Sequence, residues 1–194
     1  METNDLIEDE NEKYYKPLIL YKSVISNDLK EDILSHYHEN ESKILCDDGS
    51  RIFPKRKVIK EIPDEFAIRL NKELVVTMSQ YYTTFIPDVD NIRVYHSNYG
   101  IVKPHIDIPT NPKNTHTCII YLTDDFYGGN LSVKIPRTQE HFELFNQLDK
   151  KNLTITIEPC NQYGIIFPKN KIHFTDELLG GDKIILIIDC EIVY

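Results

Sequence analysis

NIRVYHSNYGIVKPHIDI, residues 91–108, is the stretch that decides the fold, because the character of the chain changes there. From this point to the C-terminus, short runs rich in Val, Ile, Thr, Tyr and Phe are separated by turn residues, a pattern typical of β-strands. The eight runs are NIRVYHS (91–97), VKPHIDI (102–108), HTCIIYLT (116–123), NLSVKI (130–135), LTITIEP (153–159), YGIIFP (163–168), KIHFT (171–175) and DKIILIIDCEIVY (182–194). Eight short strands fit a double-sheet barrel or jelly roll, with Gly128-Gly129 as a turn between two of them.

Two helices are predicted before this barrel, which is expected to span about residues 90–194. The first covers residues 26–39, with Ser26 or Asn27 as its cap. The second covers residues 63–84, where apolar side chains recur every four positions at Phe66, Leu70, Leu74, Met78 and Tyr82. Such a stripe is typical of a helix packed on the outside of a sheet. A third helical segment, 137–150, is expected as an insertion between strands.

His105 and Asp107 are the first candidate metal ligands. They lie two residues apart in a strand-like run, so their side chains point to the same side and can reach one ion. With His173 they would supply two histidines and a carboxylate, which can occupy one face of a ferrous ion and leave the other open. The second His-x-acid pair, His141 with Glu143, lies among apolar residues at helical spacing, where i and i+2 do not share a face. The spacing therefore favours a site of His105, Asp107 and His173.

Alternation also predicts which side chains enter the barrel. Thr117, Ile119 and Tyr121 share one face of their strand, and Lys183 shares a face with Ile185 and Ile187 in the last one, as i and i+2 residues do. Burying an unpaired ammonium is costly, so Lys183 either reaches solvent at the strand end or binds a carboxylate ligand.

Length and composition indicate one domain. A chain of 194 residues with 41% hydrophobic residues can bury one sizeable core, expected over 14–194. The acidic segment 1–13 is predicted to be a solvated, mobile tail, and it lacks the features of a signal peptide. No apolar run is long enough for a membrane span. The four cysteines are predicted to be buried free thiols in a reducing compartment, which favours a cytoplasmic location: Cys46, Cys118, Cys160 and Cys190.

The net charge of −9 argues against a general affinity for nucleic acid. A local exception is RIFPKRKVIK, residues 51–60, which contains five basic side chains. It is either a solvated strand and turn or a docking segment for an acidic partner or substrate, with Lys55, Arg56 and Lys57 as candidate substrate-binding residues. The sequence carries no signal for an oligomeric state.

Residues 91–194 resemble the Fe(II)/2-oxoglutarate-dependent dioxygenases, in particular the prolyl 4-hydroxylase-like branch. NIRVYHSNYGIVKPHID is similar to the strand, tyrosine, glycine-containing turn and His-x-Asp of that branch. THTCIIYLTDDFYGGNLSV resembles its strand ending in Tyr-Leu, followed by a loop and Gly-Gly. IEPCNQYGIIFPKNKIHFTDELLGGDKIIL is similar to the segment that carries the distal histidine and then Gly-x-Lys/Arg.

The resemblance implies a double-stranded β-helix core, with His105, Asp107 and His173 as iron ligands. It also implies that Lys183 and Tyr121 bind the distal carboxylate of the cosubstrate 2-oxoglutarate. The implied cofactors are Fe(II), 2-oxoglutarate and O2, with ascorbate as an optional reductant. Tyr95 matches a tyrosine beside the cosubstrate in that family, although a packed barrel aromatic is the alternative. One departure is that the oxygen-sensing prolyl hydroxylases place an arginine nine residues after the distal histidine; here that position is Asp182, and Lys183 follows.

The implied activity is hydroxylation of a C–H bond, with succinate and CO2 as coproducts. The leading substrate hypothesis is a prolyl residue of a protein or peptide, and a free amino acid or other small molecule is the alternative. A third hypothesis, from another class, is a catalytically inactive barrel that serves as a binding module. An intact ligand set argues against this third hypothesis.

Overall fold

The computed structural model describes residues 18–20, 23–40, 45–47, 56–60, 62–109, 111–136, 152–158 and 163–193. Its α-helices are α1 (Asn27–Glu39) and α2 (Asp64–Met78), and a short 3-10 helix covers Val89–Asn91. Its strands are β1 (Leu18–Leu20), β2 (Leu45–Asp47), β3 (Arg56–Ile59), β4 (Thr84–Pro87), β5 (Arg93–Ser97), β6 (His116–Tyr121), β7 (Phe126–Gly128), β8 (Leu131–Pro136), β9 (Asn152–Ile157), β10 (Gly164–Pro168), β11 (His173–Thr175), β12 (Leu178–Gly181) and β13 (Lys183–Val193).

These strands form two facing layers of antiparallel sheet. The larger layer has the order β1-β10-β6-β13-β5-β3-β2, with β4 paired to the end of β13. The smaller layer consists of β11-β8-β9 and of β12-β7. The long strand β13 pairs with β6 on one side and with β5 and then β4 on the other. This arrangement is the double-stranded β-helix that the sequence predicted.

Alternation along the strands separates two hydrophobic cores. The core inside the barrel joins both layers, and its buried members are Ile119, Tyr121, Leu131, Val133, Ile157, Ile165 and Phe167. The intervening residues of β6 and β13 face the helices, among them Cys118, Ile120, Leu186 and Ile188. Thr117, Ile119 and Tyr121 do share the interior face with Ile185 and Ile187, as predicted.

The two helices cover the outer face of the larger sheet, as expected. Ser26 caps α1, since its side chain accepts a hydrogen bond from the Leu29 N–H at 3.3 Å. The apolar stripe of α2 buries Leu70, Leu74 and Met78 against the sheet. Gly128 and Gly129 have φ values of 75° and 66° and connect β7 to β8, as the turn prediction required.

Two predicted elements differ from the structure. The helix predicted over 63–84 ends at Met78, and the β-branched and aromatic residues that follow form β4, which pairs with the end of β13. The strand predicted over 102–108 is an irregular segment with one isolated bridge, between His105 and His173. Pro104 has no N–H to donate to a ladder, which explains the loss of regular pairing.

Several predictions lie outside the described residues: the mobile tail 1–13, the helical insertion 137–150, Lys55 and Cys160. Cys118 and Cys190 are described, and both are buried free thiols as predicted. No described helix is long and apolar enough to cross a membrane.

Candidate metal centre and the buried lysine of the barrel

The three predicted metal ligands meet at one end of the barrel. His105 and His173 pair through their backbones, each N–H donating to the carbonyl of the other at 3.1 and 2.9 Å. The Nε2 atoms of both rings lie 3.6 Å from Oδ1 of Asp107. All three ligand atoms lie within 4.8 Å of one another, and within the described part of the chain no other cluster of His, Cys, Asp and Glu meets this criterion.

Backbone carbonyls orient both imidazole rings. Nδ1 of His105 lies 2.8 Å from the Lys103 carbonyl, and Nδ1 of His173 lies 3.0 Å from the Lys171 carbonyl. A carbonyl can only accept, so each Nδ1 carries the proton and each Nε2 presents a lone pair to the metal position. Burial lowers the pKa of the His173 ring, although Asp107 and the Lys171 carbonyl oppose this effect. Metal binding requires the neutral imidazole ring, so the lowered pKa of His173 favours metal binding.

Asp107 is held at both its backbone and its side chain. Its N–H donates to the Lys169 carbonyl at 3.1 Å, and its Oδ2 accepts a hydrogen bond from the Thr117 hydroxyl at 2.8 Å. Oδ1 therefore faces the two histidines while Oδ2 faces Thr117. The sequence placed Thr117 on the interior face of its strand but did not predict this contact, because strand alternation gives the face of a side chain and not its partner.

The donor set fits a ferrous ion. Two neutral imidazoles and one carboxylate on a single side form the ligand set of non-haem Fe(II) sites. Each ligand also has the hydrogen-bonded support that such sites use to fix ligand orientation.

Lys183 lies at the start of β13, on the interior face of the same barrel. Its side chain is buried, and its ammonium donates to the Gly129 carbonyl at 2.5 Å. It also lies 5.5 Å from the centre of the Tyr121 ring and 5.7 Å from that of Phe126. Of the two interpretations that the sequence left open, solvent contact at the strand end is therefore wrong. The Gly129 carbonyl takes one of the three ammonium hydrogens, which leaves two for a carboxylate.

Burial shifts the pKa values of the two ionisable side chains here, Lys183 and Tyr121. Burial lowers the pKa of Lys183 to about 8, and the negative charge of Asp176 opposes the shift. Burial and Asp176 together raise the pKa of Tyr121, so its phenol stays protonated and can donate a hydrogen bond. A bound carboxylate would favour the charged form of Lys183.

Tyr95 and Arg56 also lie on the interior face, at the side of the barrel formed by β5 and β3. Tyr95 is opposite Ile185 in the β5–β13 pairing, and the Arg56 guanidinium lies 3.9 Å above the centre of its ring. Lys57 is paired with His96, so it projects from the opposite face. Arg56 and Lys57, two described residues of the basic segment, therefore project from opposite faces of the sheet.

Two further histidines near the barrel, His96 and His116, are hydrogen-bonded outside the metal centre. Nδ1 of His96 lies 2.8 Å from the Tyr37 hydroxyl, and its Nε2 lies 2.7 Å from Oδ1 of Asp182. His116 is buried beside Thr115, and burial lowers its pKa to about 4.

No protein-family model matches the sequence, and no curated protein matches it. The fold is similar to that of many solved structures. The non-heme alpha ketoglutarate dependent epimerase SnoN from nogalamycin biosynthesis aligns with a TM-score of 0.67 at 9% identity, over 92% of this chain and 78% of that chain. A Pseudomonas putida prolyl-4-hydroxylase aligns with a TM-score of 0.62 at 10% identity, over 93% and 95%.

The viral collagen prolyl hydroxylase of Paramecium Bursaria Chlorella virus-1, a 2-oxoglutarate complex, aligns with a TM-score of 0.59 at 14% identity, over 95% and 98%. The chain therefore has the double-stranded β-helix fold of the 2-oxoglutarate-Fe(II) oxygenases. The resemblance in the sequence is confirmed at the level of the fold.

Proposed function

We propose that this protein is an Fe(II)- and 2-oxoglutarate-dependent dioxygenase that hydroxylates a prolyl residue of a protein or peptide. The observation that carries the proposal is the convergence of His105, Asp107 and His173, with ligand atoms within 4.8 Å of one another inside this fold. The bound iron, 2-oxoglutarate and O2 would supply the oxidation of a C–H bond to C–OH, with succinate and CO2 as coproducts.

In this proposal the residues of the chain bind the metal and the cosubstrate and hold them in position. His105 and His173 present Nε2, and Thr117 holds the carboxylate of Asp107 at the ligand position. Lys183 and Tyr121 bind the distal carboxylate of 2-oxoglutarate, the first with a charge-assisted hydrogen bond. The described residues around the metal position include no nucleophile activated by a base, and the proposed chemistry needs none.

A polypeptide substrate is supported by the surface beside the metal ligands. Ile106 and Ile108, on either side of Asp107, are 51% and 85% exposed, so two apolar side chains beside a metal ligand are accessible to a partner. The similarity to two prolyl hydroxylase structures supports the same interpretation. The similarity to SnoN, by its name an enzyme of nogalamycin biosynthesis, supports a second candidate, a free amino acid or other small molecule. No feature of the described residues supports a role for ascorbate.

Metal stoichiometry tests the centre of the proposal. Wild-type protein should bind one Fe(II), Asp107→Ala should lose it, and Glu143→Ala should not, because Glu143 belongs to the other His-x-acid pair. Equal iron content in wild type and Asp107→Ala would contradict the assignment.

A turnover screen tests the substrate. Prolyl peptides and free amino acids are compared for stimulation of 2-oxoglutarate decarboxylation, and the product is weighed by mass spectrometry for the addition of one oxygen atom. Stimulation by free amino acids alone would replace the peptide proposal with the small-molecule candidate. If the iron-loaded protein is stimulated by neither prolyl peptides nor free amino acids, and oxidises neither of them, both substrate proposals would be contradicted.

A further inference from the structure

Three charged side chains from distant parts of the chain form a cluster beside the metal centre. The Asp189 carboxylate lies 2.6 Å from the Lys169 ammonium through Oδ2 and 2.9 Å from the Arg93 guanidinium through Oδ1. The side chains of Lys169 and Asp189 are 5% and 4% exposed, and that of Arg93 is 30% exposed. The cluster therefore holds two cations and one anion in a largely buried place.

The cluster lies on the interior face of the larger sheet, next to the metal ligands. Asp189 is opposite Thr117 in the β6–β13 pairing, so their side chains share a face, and the Thr117 hydroxyl contacts Asp107. Arg93 is opposite Ile187, a member of the interior core. The carbonyl of Lys169 accepts the hydrogen bond from the Asp107 N–H.

Ion pairing alone does not explain the cluster. One carboxylate and one cation would be neutral, whereas this group carries a surplus positive charge, and burying such a charge is costly. The Nε of Arg93 is buried and meets no acceptor among the described residues. Asp88 is close in the fold, but its Oδ2 accepts hydrogen bonds from the side-chain amides of Asn91 and Asn114. A single anion bound here would supply both an acceptor for the Arg93 Nε and a negative charge to balance the second cation.

We propose that Arg93, held by Asp189 and supported by the charge of Lys169, binds a carboxylate of the substrate beside the bond that is oxidised. A planar carboxylate matches the guanidinium fork, and a hydrogen bond between two charged groups is of the stronger kind. This inference rests on the proposed function and narrows its substrate to one that carries a carboxylate. The carboxylate belongs either to an acidic residue next to the target in a peptide or to a free small acid.

Matched acid and amide probes test the proposal by binding alone. Protein loaded with Zn(II), which does not turn over, and with 2-oxoglutarate is titrated by calorimetry. The peptide pair is acetyl-Pro-Glu-amide and acetyl-Pro-Gln-amide, and the small-molecule pair is L-proline and L-prolinamide. Wild-type protein should bind the acid of one pair about tenfold more tightly than its amide, as expected for a hydrogen bond to a charged group. The pair that discriminates identifies the source of the carboxylate.

Variants separate recognition from structural support. Arg93→Gln should bring acid and amide to within about twofold of each other, and Arg93→Lys should keep a reduced preference because it retains charge without the fork. Arg69→Gln, which removes an arginine paired with Asp32 between the helices, is the matched control and should keep the full preference. Circular dichroism checks that each variant folds. If Arg93→Gln does not fold, the comparison of acid and amide is made with Arg93→Lys instead.

Equal binding of acid and amide to wild type in both pairs would overturn the carboxylate site. An acid preference that survives in Arg93→Gln would also overturn it. If Arg93→Gln does not fold, an undiminished preference in Arg93→Lys would have the same meaning. A variant that lost stability but kept the preference would show that the cluster is structural. Failure of wild type to bind Zn(II) or 2-oxoglutarate would instead contradict the proposed function, so the two failures are distinguishable.

Discussion

Lys183→Met should stabilise the protein against unfolding at neutral pH while it weakens 2-oxoglutarate binding. Methionine has a similar length but no charge, so the variant removes a buried ammonium from the interior face of β13. Lys183 is only 7% exposed, and burial lowers its pKa from 10.5 to about 8. The folded protein therefore holds the proton less tightly than the unfolded chain does.

The lowered pKa of Lys183 determines how much the buried ammonium destabilises the folded protein and how this destabilisation changes with pH. The shift from 10.5 to about 8 corresponds to about 3 kcal/mol of destabilisation below pH 8, at about 1.4 kcal/mol per pKa unit. Between these two pKa values the unfolded state binds more protons, so the stability of wild type rises with pH and the penalty disappears above 10.5. The variant also leaves the Gly129 carbonyl without its donor, a cost of about 1–3 kcal/mol that does not depend on pH.

Urea unfolding of wild type and Lys183→Met from pH 7 to 11 measures this effect. The advantage of the variant should fall by about 3 kcal/mol over this range, as expected from the shift in pKa. Lys72→Met, at an exposed lysine of α2, is the control and should show no such trend. A difference between variant and wild type that is constant with pH would refute the reasoning. Unchanged 2-oxoglutarate affinity in Lys183→Met would show that the cosubstrate pocket lies elsewhere.

Three further predictions concern the metal ligand, the pocket and the basic segment. Thr117→Val should lower Fe(II) affinity by about 10–100-fold, measured by competition with a chelator, because the ligand carboxylate loses the group that orients it; unchanged affinity would contradict that role. Gly129→Ala should lower both the melting temperature and 2-oxoglutarate affinity, since its Cβ would lie 3.1 Å from the buried ammonium at a φ of +66°, whereas Gly180→Ala meets nothing within 4 Å and should be neutral in thermal unfolding and calorimetry. Arg56→Ser should reduce turnover of the true substrate while Lys57→Ser should not, because only the first side chain lies on the interior face; equal losses in steady-state assays would favour a general charge effect instead.

The sequence by itself determined the features that depend on local periodicity. A period of two placed Tyr121 and Lys183 on the interior faces of their strands, and a period of four placed the stripe of α2 on the core. The same alternation placed His105 and Asp107 on one side, even though the segment around them is not a regular strand. Spacing and residue type together were enough to indicate the metal ligands, because a chelating pair is a local feature of the chain.

Only the tertiary structure decided the contacts that depend on strand register. Thr117 meets Asp107 because the irregular segment before β6 returns along the barrel, and nothing in the spacing of the two residues implies this. The pairing of β3 with β5 decided that Arg56 lies over Tyr95. The charged cluster joins β5, the end of β10 and β13, so its members are far apart in the chain. Side-chain direction is a local property of a strand, but the identity of its neighbour is set by how distant strands align, and the folded sheet alone fixes that alignment.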